Sequence, residues 1–206
     1  KAKTDFLLKL SHEIRTPVTG IVGFSGMLKE QGSFSEETEG TVNGIYSCAA
    51  LLDALMDDIY DFSDLKKKRI VMNKEPTKVR SIVRNIESIM SFQAVLKKLT
   101  LKVSVSDAIP EYVETDGKRL MQIIINLVNN AVKYTHKGSV SIVADFVNDE
   151  KLVIDVSDTG IGMSEESLEE VFNNFLQLDA TSSGLGLGLS LVKTHIELLG
   201  GRITVD

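Results

Sequence analysis

The chain has 206 residues, which is enough for one large domain or two small ones. Its formal net charge of −6 argues against a general nucleic-acid binder, which would carry a basic stripe. The single cysteine, Cys48, excludes an internal disulfide, and no apolar run approaches the roughly 20 residues that cross a membrane.

The first predicted element is a helix whose apolar residues recur at steps of three and four between Leu7 and Leu28, which is typical of a heptad seam. The chain enters this periodicity without an N-cap. We therefore expect sensing parts, membrane spans among the candidates, to lie upstream. The segment itself is predicted to be cytoplasmic and free of membrane contact, within a protein anchored in the inner or plasma membrane.

A second predicted helix repeats the same spacing from Ile45 to Phe62, after a short loop in which Ser33 or Ser35 suits the N-cap. Two such helices make an antiparallel hairpin. Because a lone hairpin buries its stripe poorly, we expect two copies to pair into a four-helix bundle, so that the protein is a homodimer. Cys48 lies on the seam and is interpreted as a small core residue.

The heptad pattern ends around Asn73–Thr77, where Pro76 interrupts it. We place a domain boundary there, which gives a hairpin domain over 1–72 and a second domain over 73–206. In the second domain helical and alternating patterns are mixed, which predicts an α+β sandwich with a sheet on one side and helices on the other. The predicted elements are helices at 78–96, 117–134, 165–175 and 189–199, a strand at 100–106, a hairpin of strands at 139–146 and 151–157 that turns at Asn148-Asp149, and a last strand from Ile203.

His12 lies opposite the heptad seam, so its imidazole is predicted to point to solvent. Pro17 removes the backbone donor that would bond the carbonyl of Glu13, so the helix should kink beside the histidine. The Glu13 carboxylate could accept one ring proton and leave the other nitrogen free to attack phosphorus. Thr16 is one turn further along the same face. Taken alone, an exposed helical histidine is usually only a surface residue.

The segment QIIINLVNNAVKYT carries Asn126, Asn130 and Lys133 at spacings of four and three, a polar stripe on an otherwise apolar helix. Amide oxygens suit magnesium and an ammonium suits phosphates. A solvated helix face explains the stripe about as well.

Two glycine motifs follow. In DVSDTGIGM, Asp158 ends a predicted strand, where a carboxylate can accept a hydrogen bond from an adenine amino group, and Gly160 and Gly162 let the backbone pass close to a flat ring. In GLGLGLSL, residues 184–191, glycines run into a helix N-terminus that can offer donors to phosphate. This is neither a Walker loop nor a dinucleotide motif. Either motif alone could be a turn.

Taken in order, these motifs resemble those of sensor histidine kinases of two-component systems. FLLKLSHEIRTPVTGIVGF is similar to the H-box, NLVNNAVKYT to the N-box, DTGIGM to the G1 box, VFNNFLQLD to the F-box and GLGLGLSLV to the G2 box. SHEIRTP and the F-box wording most resemble hybrid kinases. The resemblance implies a dimeric phosphotransfer hairpin followed by an ATP-binding domain of the Bergerat (GHKL) fold.

By this resemblance His12 is the phosphoacceptor, Glu13 the acid that assists its attack, and Thr16 the residue that positions water for dephosphorylation. The implied activity is ATP- and Mg²⁺-dependent autophosphorylation of His12 and phosphotransfer to an aspartate of a response-regulator receiver domain, with phosphatase activity toward that receiver as an addition.

The resemblance likewise implies the nucleotide site. Asn130 matches the magnesium-binding asparagine and Asn126 lies beside it, while Lys133 and Tyr134 match nucleotide-contacting positions. The remaining matches form the adenine pocket and the hinges of the ATP lid: Asp158, Gly160, Gly162, Gly184, Gly186 and Gly188.

The sequence departs from the family at the lid, where only 180–183 separate Asp179 from Gly184 and none of the four residues is basic. Either the lid is short in this protein, or lid residues are absent from the sequence as printed; we favour the second because exposed loops are mobile. Two other functions stay open. One is an ATPase clamp of the gyrase and chaperone type, and the other is a degenerate scaffold that binds nucleotide without catalysis.

Overall fold

The computed structural model describes residues 14, 18–23, 25–28, 35–66, 72–148, 150–164, 171–172 and 188–205. They form two compact units. One holds the described residues up to 66 together with Ser88–Gln93, and the other holds 72–87 and the described residues from 94 on. The chain is thus a two-unit α+β protein, as predicted. Within the described ranges, no helix combines the length and the hydrophobicity needed to cross a bilayer.

The first unit is helical. Residues 18–23 and 25–28 are helical, and helix α1 spans Glu36–Lys66. Ser35 begins α1 as its N-cap: its Oγ accepts from the amide of Thr38 at 3.3 Å, and its carbonyl accepts from the amide of Glu39 at 2.9 Å. Of the two predicted caps, the structure therefore uses Ser35. Ser33 lies outside the described residues.

Inside this unit the buried residues include positions that are seven residues apart. Val18 and Ser25 are each 3% exposed, and on α1 Val42, Ala49 and Met56 are 5–7% exposed. These positions repeat every heptad, which confirms the period that the sequence indicated.

The predicted seam itself lies on a different face. Ile45, Leu52 and Leu55 are 45%, 37% and 40% exposed, and Cys48 between them is exposed too. Within a single chain Cys48 is therefore not a core residue: with Val18, Ile21 and Phe92 it lines an open pocket. Its burial on the seam between two paired copies stays a prediction.

The second unit contains the remaining elements. Its helices are α2 (Val79–Leu96), α3 (Gly117–Tyr134) and α4 (Gly188–Leu199). Its strands are β1 (Glu75–Thr77), β2 (Thr100–Val105), β3 (Val113–Thr115), β4 (Ser139–Val147) and β5 (Lys151–Asp158).

Three strands make the main sheet in the order β2-β4-β5. Strands β4 and β5 form the predicted antiparallel hairpin, and Asn148 at its turn has φ 56°. Strand β2 joins in parallel, with Thr100 opposite Ser139. Val140, Ile142 and Ala144 on β4 are fully buried, and the helix Gly117–Tyr134 packs on this sheet.

Other elements differ from the sequence prediction. Strands β1 and β3 pair into a small antiparallel sheet that the sequence did not indicate. Residues 201–205 are not in a strand, so the predicted strand at Ile203 is wrong: no described strand pairs with it. The helix predicted at 165–175 lies almost wholly outside the described residues.

Helix α3 begins at a well-held N-cap. The carboxylate of Asp116, only 6% exposed, accepts from the amide of Arg119 at 3.0 Å through one oxygen and from the amide of Asn73 at 2.9 Å through the other. One side chain thus caps α3 and fastens the first residues of the unit to it. This fixes the N-terminal end of the helix that carries the asparagine stripe.

Candidate functional site

One face of helix α3 is part of the hydrophobic core, and another face carries the predicted polar stripe. Ile124 and Val128 are fully buried against the rest of the unit. Asn126 is also buried, at 8% exposure, whereas Asn130 and Lys133 are half-buried. The predicted polar stripe is therefore not a solvated face, because its first asparagine is almost enclosed and its other members lie at the edge of the unit.

The start of α4 lies against this stripe. A Cβ atom added to Gly188, the first residue of α4, would lie 3.4 Å from Oδ1 and 3.6 Å from Cγ of Asn126. The second glycine motif and the asparagine stripe, more than sixty positions apart in the sequence, thus meet in the structure. A glycine here leaves room beside the Asn126 oxygen at a helix N-terminus, where backbone N–H groups favour anions.

The other end of the site forms where α3 stops. Thr135 ends the helix and is fully buried, and its hydroxyl donates to the carbonyl of Ala131 at 2.7 Å. The same Oγ1 lies 3.4 Å from Oδ1 of Asp158, which also accepts from the amide of Gly160 at 2.7 Å. Because the one hydroxyl proton of Thr135 goes to Ala131, Asp158 is held by its hydrogen bond from the glycine loop and lies beside the helix end, while the residue stays exposed.

Gly160 packs directly on the end of α3. A Cβ at this position would lie 2.6 Å from the carbonyl oxygen of Tyr134, a distance that real Cβ atoms do not reach. The next residue, Ile161, donates its amide to that same carbonyl at 3.3 Å. Gly162 has φ 67°, a left-handed conformation that favours glycine. The loop is therefore shaped by close contact with the backbone at the end of α3; the approach of these glycines to a flat ring stays a prediction.

Apolar side chains beside this loop are open to solvent. Ile161 is 64% exposed and Met163 is 40% exposed, next to the Asp158 carboxylate. Apolar surface beside one oriented acceptor suits a flat heterocycle that stacks and donates one hydrogen bond. Nearby, the Lys133 ammonium lies 4.9 Å from the centre of the Tyr134 ring, in cation–π range.

The described residues show how far the site residues come together. Asn126 and Gly188 meet at one end, and Asp158 and Gly160 meet at the other. From position 126 to 135 the helix rise separates the two ends by about 14 Å. Five predicted positions lie outside the described residues: His12, Glu13, Thr16, Gly184 and Gly186.

Two residues of this region were missed by the sequence interpretation, namely Thr135 and Lys97. Thr135 carried a usable signal, since a threonine directly after a predicted helix end often caps it. Lys97 donates to two carbonyls at the end of α3 and carried no signal, because its contact crosses 35 positions of sequence.

A magnesium ion fits the donor set at the asparagine stripe. Among the described residues, no group of three histidine, cysteine or acidic side chains could hold a metal alone. Magnesium at phosphate sites needs only one or two protein oxygens, since phosphates and water supply the rest. Amide oxygens of Asn126 and Asn130, one helical turn apart, meet that requirement, and Gly188 leaves space beside the first of them.

Known families match both units of the chain. Residues 2–68 match the His Kinase A (phospho-acceptor) domain, HisKA, and residues 115–206 match HATPase_c, the histidine kinase-, DNA gyrase B- and HSP90-like ATPase.

Among curated relatives, hybrid signal transduction histidine kinase K of Dictyostelium discoideum is 34% identical over the whole chain, which covers 18% of that protein. Autoinducer 2 sensor kinase/phosphatase LuxQ of Vibrio parahaemolyticus is 35% identical over the whole chain, which covers 25% of it. The chain thus spans about a fifth to a quarter of the length of these relatives.

Among solved structures, full-length ShkA in complex with AMPPNP matches 95% of this chain and 41% of its own, with a TM-score of 0.65 and 30% identity.

Proposed function

The chain belongs to the sensor histidine kinase family, and on that premise we propose that it is the catalytic core of such a kinase. It binds ATP with Mg²⁺, phosphorylates its own His12, and passes the phosphoryl group to an aspartate of a response-regulator receiver domain. Residues 1–72 are the phosphotransfer hairpin and 73–206 the ATP-binding domain. The observation that carries the proposal is the meeting of Asn126, in the middle of α3, with Gly188, together with that of Asp158 with Gly160 at the C-terminal end of the same helix.

This arrangement supports one orientation of the nucleotide. The adenine lies at the Asp158 end, where the carboxylate accepts from its amino group and exposed apolar side chains face the ring. The triphosphate lies toward Asn130 and the N-terminus of α4, where Gly188 leaves the backbone accessible. Magnesium, when bound, neutralises phosphate charge, and the amide oxygens of Asn126 and Asn130 hold it.

The chemical step is in-line transfer. A ring nitrogen of His12 forms a bond to the γ-phosphorus while the bond from that phosphorus to the bridging oxygen of ADP breaks. Glu13 accepts the proton of the other ring nitrogen. Positioning and charge neutralisation supply most of the rate, since little covalent chemistry falls to the protein.

The second transfer breaks the phosphorus–nitrogen bond at His12 and moves the phosphoryl group to the receiver. A carboxylate oxygen of the receiver aspartate bonds to phosphorus as the phosphorus–nitrogen bond breaks, and the ring recovers its proton from Glu13. Thr16 positions water for hydrolysis of the phosphorylated receiver, which is the phosphatase activity.

The exposed stripe on the hairpin supports a homodimer. Ile21 and Leu28 are 45% and 38% exposed, and Ile45 and Leu52 on α1 are 45% and 37% exposed, each pair seven residues apart. Apolar residues at heptad spacing on an open face are the pattern that a second copy covers.

Radiolabelled ATP tests the proposal. The chain is incubated with ATP labelled at the γ-phosphate and with magnesium, and the protein-bound label is tested for stability. We expect a label that acid removes and alkali does not, lost in His12→Gln and kept in His136→Gln, an exposed histidine outside the proposed site. Nucleotide binding should survive His12→Gln, since the nucleotide contacts lie in the other domain.

The alternatives give different results. An ATPase clamp would hydrolyse ATP equally well in wild type and His12→Gln without a protein label; the HisKA match over 2–68 argues against it. A scaffold would bind nucleotide and take no label. Absence of label from wild-type protein that binds ATP would sink the kinase proposal.

A further inference from the structure

The C-terminal end of α3 has all four of its last carbonyls occupied. A helix end normally leaves four such groups without intrahelical partners. Here the carbonyl of Ala131 accepts from the backbone amide and hydroxyl of Thr135, and that of Tyr134 accepts from the amide of Ile161. The two carbonyls between them, of Val132 and Lys133, accept from a residue of another part of the unit.

That residue is Lys97. Its Nζ lies 2.8 Å from the carbonyl oxygen of Val132 and 2.8 Å from that of Lys133. One ammonium therefore bridges two consecutive carbonyls. It also places a positive charge at the negative end of the helix dipole, where a cation is favourable.

The backbone that presents Lys97 is itself fixed. The amide of Leu99 donates to the carbonyl of Ala94 at 2.9 Å, and the amide of Lys98 donates to that of Val95 at 3.0 Å. Lys98 has φ 57°, so the pattern is a Schellman ending of α2 in which Lys97 is the C-cap residue, directly after the last helical residue. Leu99 is buried at 7% exposure and leads into β2. The ammonium thus reaches α3 from a rigid position.

Its contacts fall on the turn that carries the proposed nucleotide residues. Lys133 and Tyr134 belong to this turn, and the amide of Ile161, in the loop whose Gly160 donates to Asp158, bonds the Tyr134 carbonyl. Without another donor, a lysine in the last turn of a helix can bond the terminal carbonyls itself. Lys97 already occupies the Val132 and Lys133 carbonyls, and the Lys133 ammonium lies over the Tyr134 ring instead.

We propose that Lys97 is a positioning residue of the nucleotide site. It fixes the last turn of α3 and so holds Lys133, Tyr134 and the loop of Asp158 that bonds the Tyr134 carbonyl in the geometry that receives ATP. This inference rests on the proposed function, in which that turn contacts the nucleotide.

The test compares nucleotide affinity in four proteins: wild type, Lys97→Met, Lys97→Arg and Lys102→Met. Titration calorimetry with Mg-ADP gives the dissociation constant, well below the unfolding temperature of each variant. We expect a roughly tenfold rise for Lys97→Met, because hydrogen bonds from a charged donor are lost. Lys97→Arg should stay within about threefold of wild type, since a guanidinium can also donate to two carbonyls. Lys102→Met removes the same charge from an exposed strand position and should match wild type.

A second readout separates positioning from stability. The KM for ATP in autophosphorylation should rise in Lys97→Met while the rate at saturating ATP stays near wild type. A purely structural role would instead lower the unfolding temperature and leave affinity and KM unchanged. If Lys97→Met does not fold, Lys97→Gln, which keeps an amide donor without the charge, replaces it, and an intermediate loss of affinity is expected.

The outcomes distinguish the two proposals. If the wild type does not bind Mg-ADP, the proposed nucleotide site on which this inference rests is overturned. Binding by the wild type and equal binding by Lys97→Met overturn the role of Lys97 alone. Equal losses in Lys97→Met and Lys102→Met, or no recovery in Lys97→Arg, would also overturn it, since they would point to net charge or to the lysine chain itself.

Discussion

Helices α1 and α3 both carry apolar stripes, but only α3 buries its stripe within one chain. Ile124 and Val128 on α3 are fully buried. On α1, Leu52 and Leu55 remain 37% and 40% exposed although the same helix buries Ala49 and Met56. The second unit, here called the nucleotide unit because it carries the proposed nucleotide site, therefore completes its core alone. The first unit, which carries the predicted hairpin, has one face of α1 buried and one face open.

This difference in burial predicts that the two regions depend differently on a second copy of the chain. A unit with a closed core can bind a small molecule as a monomer, since its stability does not depend on concentration. A hairpin with an open apolar face gains stability by association, so its folding and its dimerisation are linked. Three substitutions test this contrast, from the largest expected effect to the smallest.

The largest effect is expected from Leu52→Asp on the open face of α1. The exposed third of Leu52 contributes roughly 0.5–1 kcal/mol on burial, and burying an unpaired carboxylate in its place costs at least about 1 kcal/mol more. Since the proposed dimer has two copies of the change, its dissociation constant should rise at least about a hundredfold. Sedimentation equilibrium measures it. Val147→Asp is the matched control, at 39% exposure on the sheet of the other unit, opposite Lys151.

The contrast fails if Val147→Asp dissociates the protein as strongly as Leu52→Asp does. It fails too if Leu52→Asp remains dimeric with wild-type affinity. Binding of Mg-ADP should be unchanged in Leu52→Asp, because the residues of the proposed nucleotide site all lie in the other unit.

A smaller effect is expected from Gly160→Ala in the nucleotide unit. The added Cβ would lie 2.6 Å from the Tyr134 carbonyl oxygen, which is backbone and cannot rotate away. The loop that holds Asp158 must then shift, at a cost of about 1–3 kcal/mol, which corresponds to a tenfold to hundredfold weaker binding of Mg-ADP. Calorimetric titration measures this. An unchanged affinity for Mg-ADP would show that the loop adapts to the added Cβ without cost. A changed dissociation constant of the dimer would show that the two regions are not independent.

The smallest effect is expected from Gly40→Ala, its counterpart on α1. A Cβ there meets nothing within 4 Å, and the residue is exposed inside a helix. Alanine should stabilise the hairpin by about 0.5–1 kcal/mol through its higher helix propensity. Urea unfolding followed by circular dichroism measures this at fixed protein concentration. Destabilisation would mean that the apparent space is filled in the dimer.

The sequence predicted most local structure of this chain because local structure has a local signal. The alternation in 139–146 and 151–157 gave the β4–β5 hairpin, and the apolar periods gave α2, α3 and α4. The parallel addition of β2 and the small β1–β3 sheet were missed, since pairing between distant strands leaves no periodic signature in either. Cys48 was placed in a core because a heptad marks an apolar face without saying which neighbour covers it.

The site shows the same division. Asn126, Asp158 and Gly160 could be chosen from motifs, because each residue type has a direct chemical use at its position. Their supports could not: Lys97 acts through backbone carbonyls of another helix, and carbonyls are identical for every residue. Asp116 is similar, because its second contact, to the amide of Asn73, depends on where the chain returns in space.

The parallel pairing of β2 with β4 has a consequence for how this protein is made. Thr100 is opposite Ser139, and the chain between them contains β3 and α3, so the pairing of these strands closes a long loop. The β4–β5 hairpin closes through a short turn, on the order of microseconds. Closing the longer loop costs conformational entropy before the contacts of β2 with β4 can lower the free energy, and this slows folding. During synthesis on a ribosome, β2 would therefore emerge before β4, and the backbone hydrogen-bonding groups at its edge would stay unpaired until β4 has been synthesised.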